Sequence, residues 1–365
     1  MKSLPTAALL TLIPASTAIT LDNAESAFHT LQQWYNISTG LWIPSTGWWN
    51  SANCLTVIAD LAAISDTVAS EAEQNIYQTT FTKAQQYNLQ QQKEVGPDWM
   101  PRTYSNNHWP FFPAHWHHQA SPLQPSGFLN DYYDDEGWWA LAWIAVYDRT
   151  DNTEYLRTAE GIFEDIAAAY DTTPCGGVWW DRNNTYVNAI ANELFLSVAA
   201  HLANRVSSYS HKQRAYYLNW AKKEWTWFQQ SGMINADNTV NDGLDTASCA
   251  NNNGTVWSYN QGVILGALVE LAHATGDTGY ITDAETIADA AIANLTDAEG
   301  ILHDVCEPDC GADGAQFKGV FARNLRVLWE ASPEKRYGDF LVRNADRIWA
   351  DDRVEGDELS VVWSG

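Results

Sequence analysis

"AIANELFLSVAAHLA", Ala189 to Ala203, is apolar around its whole circumference except for Asn192, Glu193, Ser197 and His201. A helix with no polar stripe has no side to turn toward water, so protein must surround it. Directly downstream, "HKQRAYYLNWAKKEWTWF" (His211 to Phe228) sets its charges apart from its rings and alanines, as a helix covering another would. The same two kinds recur along the chain. "LTVIADLAAI" (Leu55 to Ile64), "ALAWIAVY" (Ala140 to Tyr147) and "GVILGALVELAHA" (Gly262 to Ala274) read as enclosed, while "EYLRTAEGIFEDIAAAY" (Glu154 to Tyr170) and "GYITDAETIADAAIANL" (Gly279 to Leu295) read as coverings. Apolar periodicity predicts helices over 24–37, 48–68, 73–92, 134–150, 153–170, 186–205, 211–230, 257–276, 279–295, 316–332 and 336–350. No alternating strand run stands out, so the fold class is all-α. Buried-then-covering pairs recurring at roughly 50 to 85 residues describe hairpins closing into a ring. An open solenoid is the alternative, but repeats this unequal in length suit a closed six-hairpin toroid, an (α/α)6 barrel.

The chain has 365 residues, 45% of them hydrophobic, enough for one sizeable core. Its start, "MKSLPTAALLTLIPASTA", joins a lysine, a short apolar run and a small-residue end. That pattern is a signal peptide over 1–18, leaving 19–365 as a single domain that is secreted to the exterior or the cell wall. Asn-X-Ser/Thr triplets at Asn36, Asn183, Asn253 and Asn294 suit a glycoprotein on that route. A net charge of −25 repels nucleic acid and anionic membranes, and favours a neutral or cationic partner. Five cysteines in a secreted chain leave one unpaired. Cys306 with Cys310 is the expected short-loop disulfide and Cys175 with Cys249 the long-range one, with Cys54 free.

Unusual residues gather between the helices. Residues 93–130 are rich in proline, rings and histidine, and so long a connection in a compact domain is usually functional. His115, His117 and His118 raise the thought of a metal, but clustered loop histidines are more often solvated, and no metal site is assigned. Aromatic and amide clusters open the inner helices: "GWWNSAN" (Gly47 to Asn53), "GGVWWDRNNTYVNAIANE" (Gly176 to Glu193), "GTVWSYNQG" (Gly254 to Gly262) and "GAQFKG" (Gly314 to Gly319). They therefore converge on one end of the ring. Nineteen tryptophans beside amides and carboxylates suit a sugar, whose C–H face stacks on rings and whose hydroxyls need polar partners.

The segment "NDYYDDEGWWALAW", Asn130 to Trp143, adds the acids. Acidic residues are common in first turns, where free N–H groups and the helix dipole favour them. Here the pair Asp134 and Asp135 also lies among Tyr132, Tyr133, Trp138 and Trp139. Glycoside hydrolysis needs one protonated and one ionised carboxyl group, and neighbouring acids resist double ionisation. Adjacent residues fit the roughly 5–5.5 Å separation of a retaining enzyme, provided both lie in an irregular first turn. The competing enzyme reading, a diphosphate-gripping magnesium cluster of Asp134, Asp135 and Glu136, lacks a second acidic motif.

With "GGVWWDR", "NAIAN" and "WSYNQG" following in order, the segment resembles glycoside hydrolase family 76, the fungal and bacterial endo-α-1,6-mannanases, over about residues 22–365. The resemblance implies an (α/α)6 barrel that cleaves the α-1,6-mannan backbone with retention of configuration. It also implies Asp134 as nucleophile, Asp135 as acid/base and no cofactor. Tyr132, Tyr133, Trp138, Trp179, Trp180, Asn188, Trp257, Tyr259 and Asn260 are the expected substrate contacts. A monomer acting on α-1,6-linked mannan or manno-oligosaccharides is expected, with no membrane anchor evident. The family pattern continues past Trp363 to Gly365 into a final inner helix, so either the ring is expected to lack that helix or it closes differently. A non-catalytic mannan-binding or wall-scaffold protein and a wall mannan transglycosylase are the alternatives.

Overall fold

The computed structural model describes residues 19–42, 47–87, 91–95, 101–105, 127–206 and 210–365; within the two five-residue strands only the Lys93 side chain is described. The expected signal peptide and His115, His117 and His118 lie outside the described residues.

Helix α1 (Leu21–Gln32) is followed by a short hairpin of β1 (Tyr35–Asn36) and β2 (Leu41–Trp42), then by α2 (Trp48–Ala62). Next come α3 (Asp66–Glu71) and α4 (Tyr77–Lys83), joined by a π turn, Ala72–Ile76. An antiparallel pair, β3 (Gln91–Val95) with β4 (Pro101–Ser105), leads toward α5 (Tyr133–Thr150) and α6 (Thr153–Ala168). Strand β5 (Val187–Asn188) runs straight into α7 (Ala189–Arg205), followed by α8 (His211–Ser231) and β6 (Gly243–Leu244), which pairs with β5. The chain ends through α9 (Ser258–Thr275), α10 (Gly279–Asn294), α11 (Gly311–Gly314), α12 (Phe317–Ala331) and α13 (Lys335–Arg347).

Helices α2, α5, α7, α9 and α12 form the inner wall, each packed against the next. The circuit returns to its start through Arg323 of α12, whose guanidinium donates to Asn53 Oδ1 of α2 at 2.8 Å. On α7 nearly every side chain is buried, as its sequence requires, and α9 is the same. Each buried Leu, Ile or Val contributes about 1.5–3 kcal/mol relative to exposure. Gly262 lets α9 and α12 meet, because a Cβ there would lie 2.6 Å from the Phe321 backbone. Helices α6, α8, α10 and α13 cover the outside, and the mostly helical architecture is that of the (α/α)6 barrels. A groove of about 680 Å³ is lined by α1, α2, α5, α7, α9 and α12, with Phe28, Ile58, Ile144 and Val327 among its walls. Val57 on its rim is 47% exposed and Ile64 70%.

Three expectations are corrected in detail. The helix expected over 48–68 breaks after Ala62 and restarts with Ser65 as a true cap, its hydroxyl accepting from Val68 N–H at 3.1 Å. The one expected over 73–92 ends at Lys83, and Gln91–Val95 is a strand. That strand carries no apolar alternation to betray it, because its pairing is local to a hairpin. Helix α7 starts at Ala189, three residues late, since Val187 and Asn188 pair with Leu244 and Gly243. The disulfides are Cys175–Cys249 and Cys306–Cys310, with Cys54 free and buried, as expected.

Candidate active site

Five helix N-termini share one end of the ring, and cross-links among them show it. Trp49 Nε1 at the start of α2 donates to Asp313 Oδ1 ahead of α12, at 2.8 Å. Tyr133 N–H, opening α5, donates to the Trp180 carbonyl ahead of α7 at 2.9 Å. Ser258, opening α9, is capped from another loop: its N–H and hydroxyl both donate to Asp304.

Asp134 and Asp135 occupy the first turn of α5, a regular helix at that point and not the irregular turn expected. They nevertheless reach one place. Asp134 Oδ1 accepts from the Asp135 N–H at 2.9 Å, and its Oδ2 accepts from Trp180 Nε1 at 3.0 Å. Asp135 accepts from Asn130 Nδ2 at 2.8 Å and is bonded through its other oxygen to the Lys93 ammonium, which also stands 3.6 Å from Asp134 Oδ1. Lys93 is held over the acids by its own backbone. Its N–H donates to the Tyr132 hydroxyl at 2.9 Å, and the ammonium lies 4.9 Å from the Tyr132 ring centre and 5.6 Å from that of Trp49.

Burial is nearly complete, with Asp134 5% and Asp135 0% exposed. Loss of solvation raises both carboxyls above their ordinary range, while Lys93 opposes it. For Asp135 burial dominates and the neighbouring Asp134 charge adds to it, pushing the group to about 7. Asp134 is also raised, with Lys93, Trp180 Nε1–H and the Asp135 N–H all favouring its ionised form. Two coupled acids in one buried place cannot both ionise easily, which is what an acid and base pair needs. For Lys93 burial works toward the neutral form, but the aspartates outweigh it and keep the ammonium charged.

Glu136 does not join them. Its Oε1 accepts from Asn130 N–H at 2.9 Å and from Arg182, which also reaches Asp165 at 2.6 Å and the Asn130 carbonyl at 2.6 Å. Among the described residues no three His, Cys, Asp or Glu converge as metal ligands, so the magnesium-cluster reading has no geometry behind it.

The expected sugar contacts divide by surroundings. Trp180 touches Asp134 directly and tilts against Tyr132 at 5.0 Å. Tyr133 lies under the Arg182 guanidinium, 4.8 Å away. Trp138 stacks on Trp49 at 5.8 Å, and Trp179 is 8% exposed beside the pair's supporting loop. Asn188 caps α7, accepting from Ala191 N–H at 3.3 Å. Trp257 and Tyr259 pack on Phe317, the latter stacked at 3.9 Å, and Asn260 adjoins Asp242.

Sequence reading missed four residues here. Lys93 lay unremarked in the long connection. Asp242 accepts from Tyr186 hydroxyl at 2.7 Å and is pushed to about 7 by burial. Glu193 on α7 is fully buried, raised well above its usual range by burial, and without a hydrogen-bond partner. Asp313 faces Trp49 and Lys93. A polar residue inside an otherwise apolar helix was the available signal for Glu193; the others carry none.

The loop that carries Trp179 and Trp180 is set by Gly176 and Gly177, both left-handed, and by Asn192, whose amide oxygen accepts from Val178 N–H at 2.7 Å. A Cβ on Gly177 would lie 2.4 Å from Asn192 Oδ1 and 2.5 Å from the Trp227 ring. Gly177→Ala is expected to cost about 2 kcal/mol in urea unfolding, from strain and overpacking together. An unchanged midpoint would show that the turn is not held there.

A family model, glycosyl hydrolase family 76, matches residues 114–364. Among curated relatives, the mannan endo-1,6-alpha-mannosidase DFG5 of Candida albicans is 23% identical over 83% of this chain and 62% of its own length. A putative mannan endo-1,6-alpha-mannosidase of Schizosaccharomyces pombe is 29% identical over 55% of this chain and 48% of its own. The chain thus spans between about half and three-fifths of these relatives. Among solved structures, the α-1,6-mannanase of Salegentibacter sp. HEL1_6 superposes with a TM-score of 0.73 at 20% identity, covering 94% of this chain and 92% of that one. An inactive variant of that protein, with two consecutive aspartates replaced by alanine, was solved with α-1,6-mannotetraose. The Dfg5 of Chaetomium thermophilum, solved with glucosamine, gives a TM-score of 0.71 at 18% identity over 94% of this chain and 82% of its own.

Proposed function

The chain belongs to glycosyl hydrolase family 76, and from that footing we propose that it cleaves the α-1,6-linked backbone of mannan by double displacement. Asp134 attacks the anomeric carbon while Asp135 protonates the leaving oxygen; Asp135 then takes a proton from the water that releases the mannosyl-enzyme ester. The observation that supports this most is the pair itself: two adjacent acids in one buried place, both raised by burial and one of them to about 7, each with donors that favour its ionised form. The names of the relatives point to the same substrate, as does the ring-lined end of the barrel. The secreted, monomeric and glycosylated state expected from the sequence belongs to this proposal too; Asn183, Asn253 and Asn294 are exposed.

Linear α-1,6-mannan digested under proton NMR tests the reading, the first product appearing as the α-anomer at internal bonds. A β-anomer or no cleavage would sink it. Rate should fall about tenfold per pH unit above the Asp135 value of about 7, because the acid must hold its proton to donate it. A flat profile between about pH 7 and 9 would contradict the assignment of Asp135.

One observation favours a second reading: the acids are covered, with Asp135 wholly buried beneath Lys93. A mannan-binding protein without turnover would retain polymer on a column and release no reducing ends. Capture of the mannosyl ester by a sugar hydroxyl, which makes a transglycosylase, would lengthen oligosaccharides in the same NMR experiment.

A further inference from the structure

Lys93 stands outside the stretch that carries the family's pattern, residues 114–364, and reaches the acids from a separate hairpin. Its ammonium bonds to Asp135 and stands 3.6 Å from Asp134 Oδ1, with only 3% of the side chain exposed. A buried cation placed between two buried carboxylates is the strongest local charge either acid meets. We propose that Lys93 is the counter-ion that divides labour between the aspartates, holding Asp134 ionised and setting the pH at which Asp135 yields its proton. This rests on the double-displacement reading above.

The placement is built, not incidental. The Lys93 N–H donates to the Tyr132 hydroxyl, the same hydroxyl donates back to the Lys93 carbonyl at 3.3 Å, and Tyr132 immediately precedes α5. The hairpin and the acids are therefore fixed to one another through a single side chain. Several acids face the group as well. Asp313 of α11 faces Lys93 and Asp134 across Trp49, and Asp181 and Asp242 face Asp134 from the loops before α7 and α9. The acid pair is thus set among further acids, and Lys93 is the largest influence favouring the charged form of either carboxyl. Without Lys93, both carboxyls would rise and the site would take up a proton to relieve the repulsion, so the ionised nucleophile would be depleted.

The ammonium also marks where positive charge is tolerated. In the glycosyl cation-like transition state positive charge develops beside these two carboxyls. Lys93 is a positioning residue, acting through the aspartates.

Three proteins decide it: wild type, Lys93→Met and Lys93→Arg, each followed by the pH profile of kcat/KM on an aryl α-mannoside and by carboxyl carbon-13 NMR of aspartate-labelled protein, with Asp134→Asn and Asp135→Asn for assignment. In Lys93→Met both limbs of the profile, and both carboxyl titrations, should move up by at least one pH unit, with activity near pH 5 reduced tenfold or more. Lys93→Arg should bring both back to within a few tenths. Limbs and titrations left in place, with only a lower melting temperature or amplitude, would overturn the proposal in favour of a packing role. Higher kcat/KM at every pH with unmoved limbs would overturn it in favour of a simple lid. Should Lys93→Met fail to fold, Lys93→Gln serves with the same readings. Titrations that shift in a protein whose wild type cleaves no α-mannoside would keep the counter-ion and discard the hydrolase reading.

Discussion

Asp134→Asn will abolish cleavage of linear α-1,6-mannan, with a loss on the order of 10⁴-fold or more in kcat/KM. The amide fills the same volume but can accept from only one of the two N–H donors, those of Trp180 and Asp135, that the carboxylate satisfies, so the melting temperature should fall by several degrees while the protein stays folded. No ester can form, whatever the leaving group, and activated aryl mannosides will not rescue the variant. Asp135→Asn will behave differently. On mannan it should lose about 10²–10⁴-fold, because an unprotonated sugar alkoxide is a poor leaving group. On a dinitrophenyl α-mannoside the first step needs no acid, so the ester accumulates and mass spectrometry of the protein should show one added mannosyl unit. Azide, needing no general base, should release it as the α-mannosyl azide. Reversed behaviour of the two variants would exchange their roles, and normal mannan cleavage by Asp134→Asn would end the double-displacement reading.

How much of this the sequence carried depends on whether the deciding contact was local. Helices α7 and α9 were legible because an apolar run of that length has only one way to satisfy both its backbone and its surface. Their order around the ring followed from hairpin connection, and the acid pair's place at an inner helix N-terminus followed from the cluster of aspartates ahead of an apolar run. The breaks after Ala62 and Lys83 were less visible, since propensity continues across them and tertiary packing decides. Lys93 was illegible. It meets Asp135 across 42 positions through a hairpin whose strands have no apolar alternation, and a lysine in a long polar connection ordinarily reaches water. Asp242 hid in the same way, in the polar stretch between α8 and α9, where it becomes interior only because β5 and β6 pair. The many rings signalled a sugar cleft, yet ring chemistry alone does not sort Trp139, stacked on Trp143 in the core, from Trp180, bonded to the acid.

Arg182→Met should destabilise the protein by about 3 kcal/mol near neutral pH, because it strands a fully buried carboxylate. Glu136 is 0% exposed, and among the described residues Arg182 is the cation on it; Asp165, on the same guanidinium, is partly exposed and will fall back on water. The pH dependence separates this from lost packing against the Tyr133 ring. Burial, the largest influence, already holds Glu136 well above its usual range, and Arg182 opposes that. Without the guanidinium the native carboxyl rises further, so the folded state keeps a proton that the unfolded chain releases. Stability then falls as pH rises through the window between the unfolded and folded values, and the variant's deficit shrinks on acidification. Urea unfolding at a series of pH values reads it directly, and the double variant with Glu136→Gln should recover most of the loss. A deficit constant from about pH 5 to 8, or a double variant no better than the single, would assign the effect to packing. The loss will also reach the chemistry. Arg182 and Glu136 together fix the Asn130 backbone, and Asn130 Nδ2 is a donor to Asp135, so the acid loses a partner that favours its ionised form. The basic limb of the rate profile should therefore move up in Arg182→Met even under conditions where the protein remains folded.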